Sequence, residues 1–261
     1  MIATMLSTSI VSGTYAKYVT SDNAEDSARV AKFGVTVTAS GSLFDKTYMS
    51  KSGGNTPGGA TTDAAVLSVV SSAKFNASGE KVESDKLVAP GTKNTEGITF
   101  VIAGTPEVDV KLNVDVDDGS FKEIFLKSGT YPDMTTGKSG DTFNNTDDYY
   151  PVKFTLTQVN GDGTSTLVDG GKLSDVKTEL EELTSESIDA NTDLASEIGT
   201  LNLTWEWDFD AKGVGTYDKQ DTLLGDLAAN IPLTPTDVPV ADTDYCLDES
   251  IKISISVTQL D

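Results

Sequence analysis

The chain of 261 residues has no histidine and a single cysteine, and its 19 basic residues are outnumbered by 41 acidic ones, for a formal net charge of -22. Each scarcity removes a class of chemistry. Without histidine there is no Ser-His-Asp or Cys-His triad, no His-ligated zinc, no His-held haem and no HExxH helix. A lone Cys246 permits neither an intramolecular disulfide nor a Cys-rich zinc or iron–sulfur site. The negative charge repels phosphate backbones and argues against nucleic-acid partners. No apolar run is long enough to cross a bilayer as a helix, so no membrane span is expected in the mature chain. Any catalysis would rest on carboxylates, Lys, Ser or Tyr, and no cofactor is expected.

What the sequence does have is alternation. Ala31, Phe33, Val35 and Val37 interleave with polar residues or glycine, as do Ile98, Phe100 and Ile102. The same period of two runs through Val108–Val116, Val152–Leu156, Leu201–Phe209 and Ile251–Val257. Such segments have one buried and one wet face, the pattern of antiparallel sheets pressed together rather than of a buried parallel sheet. The expected fold is all-β: an antiparallel β-sandwich of jelly-roll type with one or two short helices in long connections. One helix is predicted at Leu173–Leu183, where Leu173, Val176, Leu180 and Leu183 recur at three- and four-residue steps and Ser174 or Asp175 offers a cap. Residues 64–71 fit either a strand or a short helix. Asn160–Gly163 (NGDG) predicts a tight hairpin turn. Ser52–Gly59, Ser128–Asp148 and the proline-bearing Ile231–Asp244 read as loops. No internal repeat divides the chain, so residues 31–261 are read as one domain with loop insertions.

Motifs that carry chemistry are weak. Gly137-Lys138-Ser139 superficially resembles a phosphate loop, but Pro132 stands where that motif needs glycine. Asp115, Asp117 and Asp118, with Asn160, Asp162 and Thr164, offer oxygens of the kind calcium takes, without EF-hand spacing; a solvated acidic face explains them more simply. Glu206 and Asp208 lie on the wet face of a strand whose other face carries Trp205 and Trp207, which are read as core. A hydrolase built on carboxylates needs two convergent buried acids, and no such pair is visible. No catalytic, cofactor-binding or metal-binding residue is assigned, and the chain is not read as an enzyme.

Residues 1–16 (MIATMLSTSIVSGTYA) are moderately apolar and end in Thr14-Tyr15-Ala16, a small-residue junction that reads as the back half of a secretory signal whose true start lies upstream. An ordinary N-terminus is the plainer alternative. The junction Gly13–Tyr18, the strand Lys32–Val37, the turn Ala89-Pro90-Gly91 with the strands that follow, the helix at 173–183 and the last strands at 201–209 and 251–259 occur in an order that resembles the TasA/camelysin family of exported biofilm matrix-fibre proteins, which are processed by the SipW signal peptidase. No single motif is diagnostic; the co-linear series from residue 13 to 261 carries the likeness. The resemblance implies a secreted subunit, in the extracellular matrix or at the cell surface. Its partners would be copies of itself, joined head-to-tail by donor-strand exchange, and other matrix components. The metalloendopeptidase label borne by some members conflicts with the absence of histidine. The expected donor is the extended segment 17–30, with Lys17, Tyr18, Val19, Thr20, Ser21, Ala24, Ala28 and Arg29 as candidate interface residues. The rival expectation is a monomeric surface or adhesion module that binds glycans through exposed aromatics such as Tyr149, Tyr150 or Tyr217.

Overall fold

The computed structural model describes residues 31–44, 47–50, 66–68, 88–136, 138, 140–185, 187–208, 217–228 and 240–260. All of these except Ala31 lie in one compact unit, Lys32–Asp261. The protein is mostly β, with antiparallel strand pairs and a few short helices. In chain order the elements are β1 (Val35–Gly41), β2 (Thr47–Ser50), β3 (Val66–Ser68), β4 (Thr92–Gly104), β5 (Val110–Val116), β6 (Phe125–Leu126), β7 (Gly129–Pro132) and β8 (Thr142–Asn145). There follow β9 (Val152–Asn160), β10 (Gly163–Gly171), α1 (Leu173–Glu182), α2 (Leu194–Glu197), β11 (Gly199–Trp207), α3 (Asp218–Ala228), β12 (Tyr245–Cys246) and β13 (Ile253–Gln259).

A seven-stranded sheet runs in the order β10-β9-β11-β4-β2-β3, with β1 also paired to β4. β4 is long enough to serve two partners on one edge: its C-terminal part pairs with β1 and its first residues pair with β2. The register places Leu201 and Leu203 of β11 opposite Phe100 and Ile98 of β4, and Leu203 and Trp205 opposite Leu156 and Phe154 of β9. These side chains share the buried face. The other face is assembled by the same registers into rows. One reads Thr38–Val101–Thr200–Val159–Thr164 across five strands, and the next reads Ser40–Thr99–Asn202–Thr157–Thr166.

Opposite this sheet's buried face stands a second, interrupted ladder. β5 pairs with β13, setting Val116, Val114 and Leu112 beside Ile253, Ile255 and Val257. After a 3₁₀ turn at Asp118–Ser120 the same two chain segments meet again at Lys122–Ser250 and as β6–β12. The other edge of β5 is taken by residues 184–188, through Ile188 N–H to Val110 O at 2.7 Å and Ser185 N–H to Leu112 O at 3.1 Å. Side chains of the sheet and of this ladder belong to one hydrophobic core, which also takes in Leu173, Val176 and Leu180 of α1.

Alternation located the main strands and misjudged their limits. β1 begins at Val35, because Gly34 has φ +60° and breaks the extended run that would have included Ala31 and Phe33. The NGDG turn closes the β9–β10 hairpin as expected. Val66–Ser68 is a strand. The supposed loop 128–148 contains the β7–β8 hairpin, which buries Tyr131 and Phe143. α1 ends at Glu182, and α3 was not foreseen. Phe209, Ser52–Gly59 and most of Ile231–Asp244 lie outside the described residues.

Gly97 lies where the β4–β11 register shifts, between Leu203 and Trp205. Its φ is +63°, and a Cβ there would fall 1.9 Å from Leu203 O. Gly97→Ala is expected to destabilise by about 1–3 kcal/mol from the backbone conformation alone, and by more from the clash. Gly225, in α3, has open space around its Cα, so Gly225→Ala should stabilise by up to about 1 kcal/mol. Urea unfolding of the two variants checks both; equal midpoints would refute the backbone argument.

Candidate functional site at the open edge and the buried carboxylates

Residues Lys17 to Arg29, the expected donor segment, lie outside the described residues. The side that would accept a strand is described. On β1, Val37 and Ala39 stand opposite Ile102 and Phe100 and therefore point toward the core face. Ile102 is fully buried, yet Val37 remains 36% exposed and Ala39 is exposed. β13 comes near this strand and Val35 is half-buried against the core, but Val37 and Ala39 are left exposed. β13 pairs only with β5 among the described strands, and its inward residues Ile253, Ile255 and Val257 are half-buried. The opposite side is closed. There α1 packs against β10, β9 and β5, and Val168 of β10 is buried. Among the described residues the core thus has one sealed flank and one flank where β13 has an unpaired edge and Val37 and Ala39 are exposed.

The helix that seals the far flank is held by acids at its start. The capping residue is Lys172, not Ser174 or Asp175 as the sequence suggested; Asp175, at the third helical position, reaches back so that its Oδ2 accepts from Lys172 N–H at 2.8 Å. The second acid is Glu123, whose Oε1 accepts from Leu173 N–H at 2.7 Å. A carboxylate suits the positive end of a helix, but burial dominates and moves the Glu123 carboxyl upward. Glu249 lies near it, half-buried as a residue with its carboxyl turned inward. Its Oε2 accepts from Ile124 N–H at 2.9 Å, while Oε1 is buried without a hydrogen-bond partner. Burial, reinforced by the nearby Glu123, pushes Glu249 up to about 9, so it keeps its proton at neutral pH. This convergent pair escaped sequence reasoning because its members lie on segments far apart in the chain and neither sits in a patterned run. Each acid is anchored to a backbone amide of another segment, which is the geometry of a structural tie.

A third acid, Asp221 of α3, accepts from Tyr149 Oη at 2.6 Å and from Trp207 Nε1 at 3.3 Å. Burial raises its carboxyl to about 6, against the two donors. Burial also raises the Tyr149 phenol. Tyr149 is 9% exposed and stacks on Tyr217 with centroids 4.7 Å apart. Tyr150 is half-buried beneath the Lys172 ammonium, 4.0 Å from its ring centroid. The three tyrosines are therefore packed, and Tyr149 is not the exposed aromatic expected of a glycan platform. Trp205 is buried as expected, its Nε1 donating to Leu43 O at 2.6 Å.

The acidic cluster at the end of β5 is occupied by its neighbours. Asp117 Oδ1 caps the 3₁₀ turn through Gly119 N–H and Oδ2 meets Lys252 Nζ at 3.3 Å, which together hold its carboxyl below the usual range. Asp118 pairs with Lys177. No group of three or more potential metal ligands occurs among the described residues, and no described helix is long and apolar enough to cross a membrane. Cys246 sits on β12, where burial raises its thiol.

These shifts give a pH dependence. Glu249 and Asp221 bind their protons more tightly folded than unfolded, so their contribution is present below the unfolded values of 4.5 and 3.8 and is lost as pH rises through about 9 and about 6. The paired Asp133 and Asp117 act in the opposite sense, and their contribution is lost as pH falls below 3.8. Stability should therefore peak in mild acid and decline above it, by at most about 1.4 kcal/mol per pH unit for each titrating acid. Glu249→Gln should flatten the decline between about pH 6 and about pH 9. Denaturation midpoints measured across that range check this, and parallel curves for the two proteins would refute the assignment.

No family model, curated protein or solved structure matches this chain.

Proposed function

We propose that the chain is a secreted structural subunit that polymerises head-to-tail by donor-strand exchange into extracellular matrix fibres. The observation that carries this reading is the asymmetry of the two flanks. One is sealed by α1, while on the other the core-facing Val37 and Ala39 of β1 are exposed and β13 has one edge without a described partner. An unpaired edge beside uncovered aliphatic side chains is what proteins normally protect, and what an extended segment from another chain satisfies.

The reading takes the fold as a two-layer sandwich of jelly-roll type. In it the large sheet presents β10, β9, β11, β4 and β1 side by side, and the facing layer presents only residues 184–188, β5 and β13. An incoming strand set beside β13 lies over β1 and covers Val37, Ala39 and the half-buried Ile253, Ile255 and Val257. Its main chain supplies hydrogen bonds and its alternate side chains fill the gap. The segment 17–30, with Tyr18 and Val19, is the donor in this scheme. A contact between two different surfaces repeats without closing and yields a filament. The ties of Glu123 and Glu249 to backbone amides fit a structural role, and no catalytic role is proposed for them. The resemblance to the matrix-fibre family supports the extracellular setting, with copies of the same chain as the principal partners.

Electron microscopy of the processed protein tests the reading directly: regular filaments are expected, and persistent monomers would favour the adhesion-module alternative. A chain lacking residues 17–29 should remain folded and monomeric. Val37→Lys, on the accepting side, should also leave far-UV circular dichroism unchanged and abolish filaments. Normal fibres from either variant would rule out strand exchange through these elements.

A further inference from the structure

The outer face of the seven-stranded sheet carries no charged side chain in its two full rows. Its two full rows hold ten side chains, all of them Thr, Ser, Asn or Val. With 23% of the chain charged, ten such positions would carry about two charges on average, and more at a surface, where charged residues concentrate. The row that bounds the patch at one end, Lys93–Glu206–Lys153, is charged again. On the β5–β13 ladder the outward Lys111 and Asp115 are charged, while Asn113, Ser254, Ser256 and Thr258 are not. Val101 and Val159 of the first row are 38% and 47% exposed, although both are β-branched aliphatics.

Two polar groups of this face are engaged with each other: Asn202 Nδ2 donates to Thr99 Oγ1 at 2.9 Å, and also to Glu96 O at 3.0 Å. The neighbouring Thr204 Oγ1 donates to Thr155 O at 3.4 Å. The remaining groups are neutral hydroxyls, and covering a neutral hydroxyl costs far less than covering a free charge.

We infer that this uncharged face is where copies of the chain meet side by side, and that its occupant is the same face of another copy. The argument is electrostatic. Two chains of charge -22 repel wherever their acidic surfaces approach, and here they meet without opposing charges. Five strands at ~4.8 Å and about three rows of side chains give a footprint of roughly 500 Å², or about 1,000 Å² for two copies, the lower limit for a specific interface. Such a contact is weak between single subunits and adds up where many are aligned. It therefore rests on the filament reading above and assigns lateral bundling to this face.

The test introduces carboxylates into the first row. Val101→Asp/Val159→Asp changes two exposed positions, so the chain is expected to fold. In 150 mM salt (chosen for a Debye length of about 8 Å), filaments of the double variant should keep wild-type width in electron microscopy. Their bundling by light scattering should fall on the order of tenfold, because like charges then face each other. Thr178→Asp, a carboxylate added at an exposed position of α1 away from both the face and the accepting edge, should leave bundling unchanged. Undiminished bundling of the double variant, or an equal loss in Thr178→Asp, would overturn the inference. Beads densely coated with the unpolymerised chain give a reading that does not depend on filaments: wild-type beads should cluster and double-variant beads should not. If wild-type chains form no filaments but the beads cluster as stated, the filament reading fails and the face survives. Clustering only after addition of a soluble neutral glucan would identify a polysaccharide as the occupant and overturn the inference.

Discussion

The structure depends on the burial of one face of β4 and β11. Leu201, Leu203 and Trp205 of β11 are at most 2% exposed and Ile102 of β4 is fully buried. Each such side chain contributes about 1.5–3 kcal/mol over its exposed state, and period-two alternation delivers all of them to the same side. Everything else is attached to this pair. β9 and β10 extend it on one edge, β1 and β2 on the other, and the β5–β13 ladder covers the face. The register shift at Gly97 is the concession that lets β4 change partners along its length while its apolar residues stay aligned.

Seen from that pair, the two flanks differ in kind. Where β9 and β10 extend the sheet, the amphipathic α1 supplies the missing cover, and Glu123 fixes its first turn from a distant segment. Where β1 extends the sheet, no described element plays that part. The connection after β10 contains a helix long enough to lie across the gap on that side.

The central strands were legible in the sequence because alternation is a one-dimensional trace of having one buried face. Leu201 to Trp207 and Val110 to Val116 could be assigned from it to within about two residues. The hairpin at Asn160–Gly163 was legible from turn chemistry. What stayed hidden depends on three-dimensional neighbours. The β7–β8 hairpin buries Tyr131 and Phe143 out of stretches that look like loop, because Gly129, Pro132 and Asp133 flank the one and Gly140, Asp141 and Asn144 the other. α3 buries only Leu223 and Leu224 fully, too few to mark a helical face. The Glu249 anchor was invisible for a simpler reason: its partner amide, Ile124, is 125 positions away. The acceptor side of the candidate interface was equally hidden, since an exposed Val37 and a buried Ile102 look alike in sequence.

One property of the outer threonine face reaches beyond adhesion. Its two full rows contain no group that gains or loses a proton in water near neutrality, whereas the interior holds Glu249 and Asp221, which do. The two are consequently governed by different variables. In the proposed fibres acidity would act on whether a subunit keeps its shape, and ionic strength on how closely neighbouring subunits lie. A material assembled from such units would have one property set by the chemistry of its surroundings and another by their salinity, each adjustable without disturbing the other.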